Sequence, residues 1–501
     1  MGLVRTAIRG LSWSMLAAVG QAVLQLVAIV VLSRLVTVEE FGIAAASMVV
    51  LSLVVMVSQL GVGPALVQAR RLDGADVATA FYLSTALSIV LAAGLFLLAP
   101  LVGPLVGLPP DGSYLRLVSM ALVLGALSAV ATGLLQRRLR FRALALLQLF
   151  SYGFGYLGTA VVLAYAGAGA AALIWGQIAQ SLLLAIGGYA LERHDVRPHR
   201  PAAMLASGKK VFRFGSGYSL SQLGNWVGTN GDNLVVTSML GPVALGLYSR
   251  AYQLLVTPAQ LIGTVADKVL FPAMSRVQHE PDRLARAYVV ANSLVAVVTL
   301  PASVLLCVLA PEIVRILLGP GWSGVTLPLQ ILAVVLLPRT AYKISGSLTR
   351  ATGAVFGGAW RQWLYAVEVV AACWIGSHWG VVGVAAGASG AIVAHWATML
   401  KFSGRVRPGL VHSVLRAYAR SLPTTAVTAA VAVPVAVWLR SYSSEVLTLL
   451  GTGSIAVAAG GLTLLLTRRL FQEEFRLLRS GRRPRRAAPA PVPPTPEPAD
   501  L

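Results

Sequence analysis

Apolar runs longer than about 18 residues recur from one end of the chain to the other, each long enough to cross a bilayer as a helix. The pattern predicts six spans, near 11–36, 42–67, 78–106, 113–136, 142–165 and 168–191, before a polar stretch from Glu192 to Arg213. Six more follow it, near 214–240, 243–273, 285–310, 325–349, 355–378 and 381–400, and a last pair lies near 417–439 and 446–467. The expected fold class is therefore all-α: a polytopic membrane protein of about fourteen helices grouped six, six and two. Alternating amphipathic strands of about ten residues are absent, which excludes a β-barrel.

The two groups of six look like copies. Arg9, Ser12, Leu16, Gly20 and Gly42 return as Arg213, Ser216, Leu220, Gly224 and Gly246, each 204 residues on. Later matches, such as Gly169, Ala171, Ala172 and Gly176 with Gly383, Ala385, Ala386 and Gly390, drift to an offset of 214, as small loop insertions would cause. An even number of spans per copy gives both the same orientation, so the halves are expected to be parallel repeats about an axis along the membrane normal. The implied organisation is an N-terminal six-helix lobe (1–191), a cytoplasmic linker (192–213), a C-terminal six-helix lobe (214–405), an additional helix pair (406–470) and a basic, Pro-rich tail (471–501).

Composition agrees with the pattern. The chain of 501 residues is 57% hydrophobic and 12% charged, where a soluble protein carries about 25% charged residues. The net charge of +22 follows topology. With the N-terminus in the cytoplasm, 32 of the 40 Lys and Arg fall in cytoplasmic segments. The remainder are Arg34, Arg116, Arg250, Arg315 and Arg440 near outer ends, and Lys268, Arg339 and Lys343 within spans. That asymmetry obeys the positive-inside rule and places both termini in the cytoplasm, with no call for nucleic acid as a partner. The basic segment Arg468 to Arg486 is expected to lie on anionic lipid, and Ala487 to Leu501 to be disordered. Cys307 and Cys373 sit in apolar runs without metal or redox spacing and read as small core residues.

Chemistry has few places to reside. Tyr218, Gln222, Asn225, Thr229 and Asp232 share one helical face, and Gln21 and Gln25 occupy the positions equivalent to Asn225 and Thr229. Such a stripe serves either interhelical hydrogen bonding or a water-filled cavity. Asp232 is either an ion-coupling carboxylate or the structural partner of Arg250 or another cation. Arg339, Lys343 and Arg350 form a cationic stripe. If Arg350 marks the cytoplasmic boundary, Arg339 lies about 16 Å deeper, near the midplane, where a guanidinium should face water or an anion. Lys343 and Arg350 are close enough to the boundary to snorkel. Gly153 to Gly158 fits GxGxxG, but inside a span, so no dinucleotide site is expected. Gly224-x-x-x-Gly228 and Gly383-x-x-x-Gly387 read as helix-packing positions. No catalytic grouping, nucleotide loop or cofactor site is visible, so a non-enzymatic transporter is expected, driven by ion gradients or substrate flow.

The residues also resemble a family. The opening RGLSWSMLAAVGQAVLQLVAIVVLSRLVTVEEFG, the segment SQLGVGPALVQARRL, and FRFGSGYSLSQLGNWVGTNGDNLVV, LGLYSRAYQL, LFPAMSRVQ and LTRATG resemble Wzx-type polysaccharide flippases of the multidrug/oligosaccharidyl-lipid/polysaccharide exporter superfamily, over roughly residues 5 to 405. The resemblance implies a V-shaped pair of six-helix bundles that open alternately to each side of the plasma membrane. The implied substrate is an oligosaccharide on a polyprenyl pyrophosphate, with polysaccharide polymerase or chain-length machinery as further partners. The candidate substrate-binding set is Gln21, Gln25, Arg34, Gln222, Asn225, Thr229, Arg250, Arg339 and Lys343. Arg339 stands where the family is expected to carry an uncharged residue, so its assignment rests on this chain alone. The alternatives are a drug or cation exporter of the same superfamily, which would favour acidic and aromatic cavity residues, and a membrane polysaccharide polymerase or ligase, which would need a sizeable outer loop.

Overall fold

The computed structural model describes residues 2–59, 62, 66, 72–194, 197, 201–265, 270–353, 355–467 and 471. Within its helices, only the backbone is described for 2–12, 14, 201–203, 205–206, 209–221, 258, 261–262, 264–265, 355–356 and 359. The side chain of Tyr218 and the expectations for Lys268, for Arg468 and Arg469, and for residues 472–501 therefore lie outside the described residues.

In chain order the long helices are α1 (Gly2–Leu35), α2 (Val38–Gln59), α3 (Gly74–Leu105), α4 (Ser113–Arg137), α5 (Phe141–Tyr165) and α6 (Ala170–Leu191). After the polar stretch come α7 (Pro201–Val265), the short α8 (Phe271–Ser275), α9 (Pro281–Val308), the short α10 (Ala310–Leu317), α11 (Thr326–Val334), α12 (Leu336–Ala351), α13 (Val355–Ser377) and α14 (Gly380–Ser403). The chain ends in α15 (Leu410–Arg420), α16 (Leu422–Tyr442) and α17 (Glu445–Leu466). The described residues contain no strand. The fold is all-α and polytopic. Residues 201–213, expected to be linker, are helical and run on into α7.

Eleven stretches of the described residues are long and apolar enough to cross a membrane, or twelve if the bent pair 320–351 is one span. By that measure the expected fourteen is approximate, and two features account for the difference. Gln222–Thr257 counts once although the chain reverses inside it, and Val355–Ser377 has the length of a span but falls outside that set. The reversal is at Gly241 (φ 81°, ψ −177°), a left-handed conformation that a side chain would strain. Its two arms pack side by side within the second six-helix unit.

Small residues set the helix spacing. A Cβ on Gly376 would meet the Gly383 carbonyl, and one on Gly387 the Ala372 carbonyl, so α13 and α14 cross in near backbone contact. On the first arm of α7, a Cβ on Gly224 or Gly228 would come within 3.0 Å of Trp363 or Tyr365 on α13. The expected packing role of these glycines is what the helices use. The GxGxxG string lies in a π-helical turn, Ser151–Gly158, where Gly155 backs onto α6 at Gln180.

The two six-helix units meet mainly along α2 and α7, with both arms of α7 taking part. At the end bearing the α1–α2 turn and Gly241 the approach is closest. A Cβ on Gly42 would collide with the Pro242 carbonyl, and one on Gly246 with the Val38 carbonyl. Thr237 Oγ1 donates to the Val106 carbonyl at 2.7 Å, and deeper in, Trp226 Nε1 donates to Ser52 Oγ at 2.9 Å. The last helix pair docks on the second unit. Arg440 Nε binds Glu312 at 2.6 Å and Arg315 Nη1 binds Glu445 at 2.8 Å.

Candidate functional site

Proline sets up the most distinctive feature. Pro338 has no N–H, so the Val334 carbonyl four residues before it loses its helical donor. The chain bends by 48° between 320–334 and 336–351, and helical bonding resumes with Arg339 N–H to the Val335 carbonyl at 2.9 Å. Arg339 thus sits in the first turn beyond a break within a span. Backbone irregularity at membrane depth is tolerated only where protein or a cavity surrounds it.

Arg339 is 4% exposed. Sequence reasoning expected it to face water or an anion; instead it faces tyrosines. Its Nη1 donates to Tyr365 Oη at 3.2 Å. The guanidinium lies 5.0 Å from the Tyr252 ring centroid and 5.9 Å from that of Tyr342, within cation–π range. His395 on α14 closes the group, with its ring 4.3 Å from Tyr365 and 5.0 Å from Tyr342. Burial without a counter-ion is made tolerable by two electron-rich ring faces and one phenol oxygen. Arg339 Nε has no hydrogen-bond partner, and no carboxylate forms an ion pair with this arginine, among the described residues.

Asp232, on the first arm of α7, is 2% exposed. Its Oδ2 accepts from Tyr248 Oη at 2.8 Å and its Oδ1 from the Asn233 N–H at 2.9 Å. The Tyr248 ring stacks on Tyr252 at 5.8 Å, which in turn faces Arg339. A buried carboxylate and a buried guanidinium are therefore linked through two tyrosines rather than by direct contact.

Arg250 is not the partner of Asp232. It follows Tyr248 by two residues, so it points to the other side of the helix, about 200° away. Its guanidinium lies 4.0 Å over the Phe41 ring of α2 and donates to Gln253 Oε1. Phe41 meets Trp322 edge-on at 5.3 Å, and Trp322 Nε1 donates to the Ser33 carbonyl at 2.9 Å. Arg34 Nη2 donates to the Ile316 carbonyl at 3.1 Å. Arg34 and Arg250 thus stand at the joint between the two units.

The remaining candidates are dispersed. Lys343 Nζ lies 3.4 Å from the Ala259 carbonyl, with its stem against Gly263. Gln222 is half-buried and Asn225 exposed. Thr229 Oγ1 turns back to the Asn225 carbonyl of its own helix at 2.9 Å, a bond that joins no second helix. Gln21 lines a separate groove in the first unit, and Gln25, one turn on, is half-buried. No single site gathers the sequence-predicted residues. The tyrosines and His395 escaped sequence reasoning; the available signal was Tyr342 one turn from Arg339, and a polar ring, Tyr365, in the following span.

The family model described as polysaccharide biosynthesis protein matches residues 31–327, more than half of the chain. The chain belongs to this family. It is 26% identical over 355 residues to the lipopolysaccharide biosynthesis protein WzxC of Escherichia coli (strain K12), covering 71% of this chain and 72% of that one. It is 28% identical over 337 residues to the succinoglycan biosynthesis transport protein ExoT of Rhizobium meliloti (strain 1021), covering 66% of each. Among solved structures, it shares its fold with the lipid II flippase MurJ in an inward closed conformation, at a TM-score of 0.72 and 16% identity, over 92% of this chain and 99% of that one.

Proposed function

We propose that this protein is a flippase that moves lipid-linked oligosaccharide, carried on a polyprenyl pyrophosphate, across the plasma membrane for polysaccharide biosynthesis. Membership of the polysaccharide biosynthesis family carries the reading. The transport role named for ExoT and the fold shared with a lipid II flippase support it. The physical problem fits the architecture. A pyrophosphate and a glycan cannot cross hydrocarbon unaided, whereas the polyprenyl tail can remain in lipid while a path between two six-helix units shields the polar end.

In this reading the basic loops and both termini face the cytoplasm, as the distribution of Lys and Arg favours. The close approach of Gly42 to Pro242 then lies at the outer end, and the two units, parallel repeats about the membrane normal, part there to release substrate. Arg339 is the pyrophosphate ligand, reached when the second arm of α7 and α12 separate, and Asp232 is the ion-coupling group. Arg34 and Arg250 are ligands of the open state, released when Phe41 and Ile316 move away with the first unit. The residues work by binding and gating rather than by bond-making chemistry. Polymerase or chain-length machinery would receive the product.

The test is reconstitution. Purified protein in vesicles should transfer a fluorescent polyprenyl pyrophosphate-linked oligosaccharide between leaflets, read as loss of protection from a membrane-impermeant quencher. Transfer no faster than in protein-free vesicles, under any imposed ion gradient, would end the proposal.

A further inference from the structure

The first six-helix unit holds a groove of about 550 Å³ between α1, the end of α4, α5 and α6. Four glutamines line it: Gln21, Gln136, Gln148 and Gln180, with Phe141 alongside. Gln136 and Phe141 stand at the ends of α4 and α5 that flank the basic loop. Gln148 lies about 10 Å further in, and Gln180 about 16 Å from the matching end of α6. The groove therefore runs from the expected cytoplasmic surface to nearly mid-membrane.

The side chains limit what it can hold. None of the four amides makes a hydrogen bond to another group among the described residues, so they are not there to join helices. Unpaired amides inside a membrane span are costly unless water or a ligand meets them. Each amide offers a carbonyl acceptor and two N–H donors, which matches a hydroxyl that both donates and accepts. A phosphate would call for guanidinium or ammonium groups. Among the described residues none lines the groove, and those beside it are engaged elsewhere: Arg137 with the Leu66 carbonyl, Arg140 with Glu192, and Arg142 over the Trp13 ring at 5.3 Å. The volume lies within the roughly 300–1,000 Å³ of small-molecule pockets, enough for one or two sugar rings.

We infer that this groove binds the glycan of the lipid-linked oligosaccharide through Gln21, Gln136, Gln148 and Gln180, separately from the group that holds the pyrophosphate. The inference rests on the flippase reading and divides substrate recognition between the two units: neutral amides of the first unit read sugar hydroxyls, and cations elsewhere read the phosphates. Sugar preference would then follow the spacing of these amides.

The experiment compares two ligands on the full chain in nanodiscs. One is the polyprenyl pyrophosphate-linked oligosaccharide pool extracted from the native host; the other is bare polyprenyl pyrophosphate. The wild type should bind the sugar-bearing lipid more tightly. The double variant Gln148→Leu/Gln180→Leu should lose about tenfold on that lipid, the effect of removing hydrogen bonds from two side chains, and keep its affinity for the bare lipid, which also shows that it is folded. Equal affinity of the wild type for both lipids, an unchanged variant, or equal losses on both lipids overturns the groove assignment and leaves the flippase reading standing. Failure of the wild type to bind either lipid overturns both.

Discussion

Tyr248 Oη donates to Asp232 Oδ2 at 2.8 Å, although the two residues are 16 apart in sequence. Along a straight helix they would be about 24 Å apart. The bond exists because the chain reverses at Gly241, and it ties the first arm of α7 to the second beside the aromatic group around Arg339.

This arrangement separates two roles for Asp232. The carboxylate has two donors and no ion-pair partner among the described residues, so it is open to a proton or a cation. Asp232→Asn should remove the dependence of transport on an ion gradient while leaving thermal stability near that of the wild type. Tyr248→Phe should keep the ion dependence but lower stability by about 1.5–3 kcal/mol, the value of a hydrogen bond to a charged group. Flux measured with and without imposed gradients, alongside thermal melts in detergent, reads both. A melting loss in Asp232→Asn with coupling intact would make the aspartate purely structural.

The joint between the units can be pried open. Neither Gly42 nor Gly246 has room for a methyl group against the facing carbonyl. Gly42→Ala and Gly246→Ala should each disfavour the closed approach at that end. Spin labels at the exposed positions Leu35 and Val243 should then report a longer mean distance by double electron–electron resonance. An unchanged distance distribution would mean that this contact does not control closure.

Arg339 combines a charge with a planar group lying against rings. Lys keeps the charge but loses the fork and the stacking; Gln loses the charge as well. Translocation should fall in the order wild type, Arg339→Lys, Arg339→Gln, and binding of a pyrophosphate-linked lipid should weaken by about 1.5–3 kcal/mol in Arg339→Gln, roughly ten- to a hundredfold. An uncharged analogue of that lipid should show no such loss. Equal losses on both lipids would tie the arginine to the integrity of the tyrosine cage and not to phosphate.

Topology has a direct test at the polar stretch between the units. Arg193 is exposed just beyond α6. In a background carrying Cys307→Ser and Cys373→Ala, Arg193→Cys should react with a membrane-impermeant maleimide only after the cells are opened. Labelling of intact cells would reverse the assigned orientation and the loop alternation behind it.

The sequence alone determined the class of the molecule. Hydropathy and charge are properties of short segments, so the apolar spans and the asymmetry of Lys and Arg between loops were legible without packing. So were the glycines that let α13 and α14 approach, because close crossings need small residues wherever they occur. The partners of the polar residues were decided only in three dimensions. Arg339 and Asp232 were conspicuous as charges in apolar runs, but nothing local indicates that Tyr248, Tyr252, Tyr342, Tyr365 and His395 converge on them from four helices. Asp232 pairs with Tyr248 and not with Arg250 for a rotational reason: two residues along a helix reverse the direction of a side chain. The four glutamines of the groove come from four helices and share no sequence spacing. Burial of a helix against lipid is set by its own residues, whereas a side chain's partner is set by whichever neighbours the bundle turns toward it.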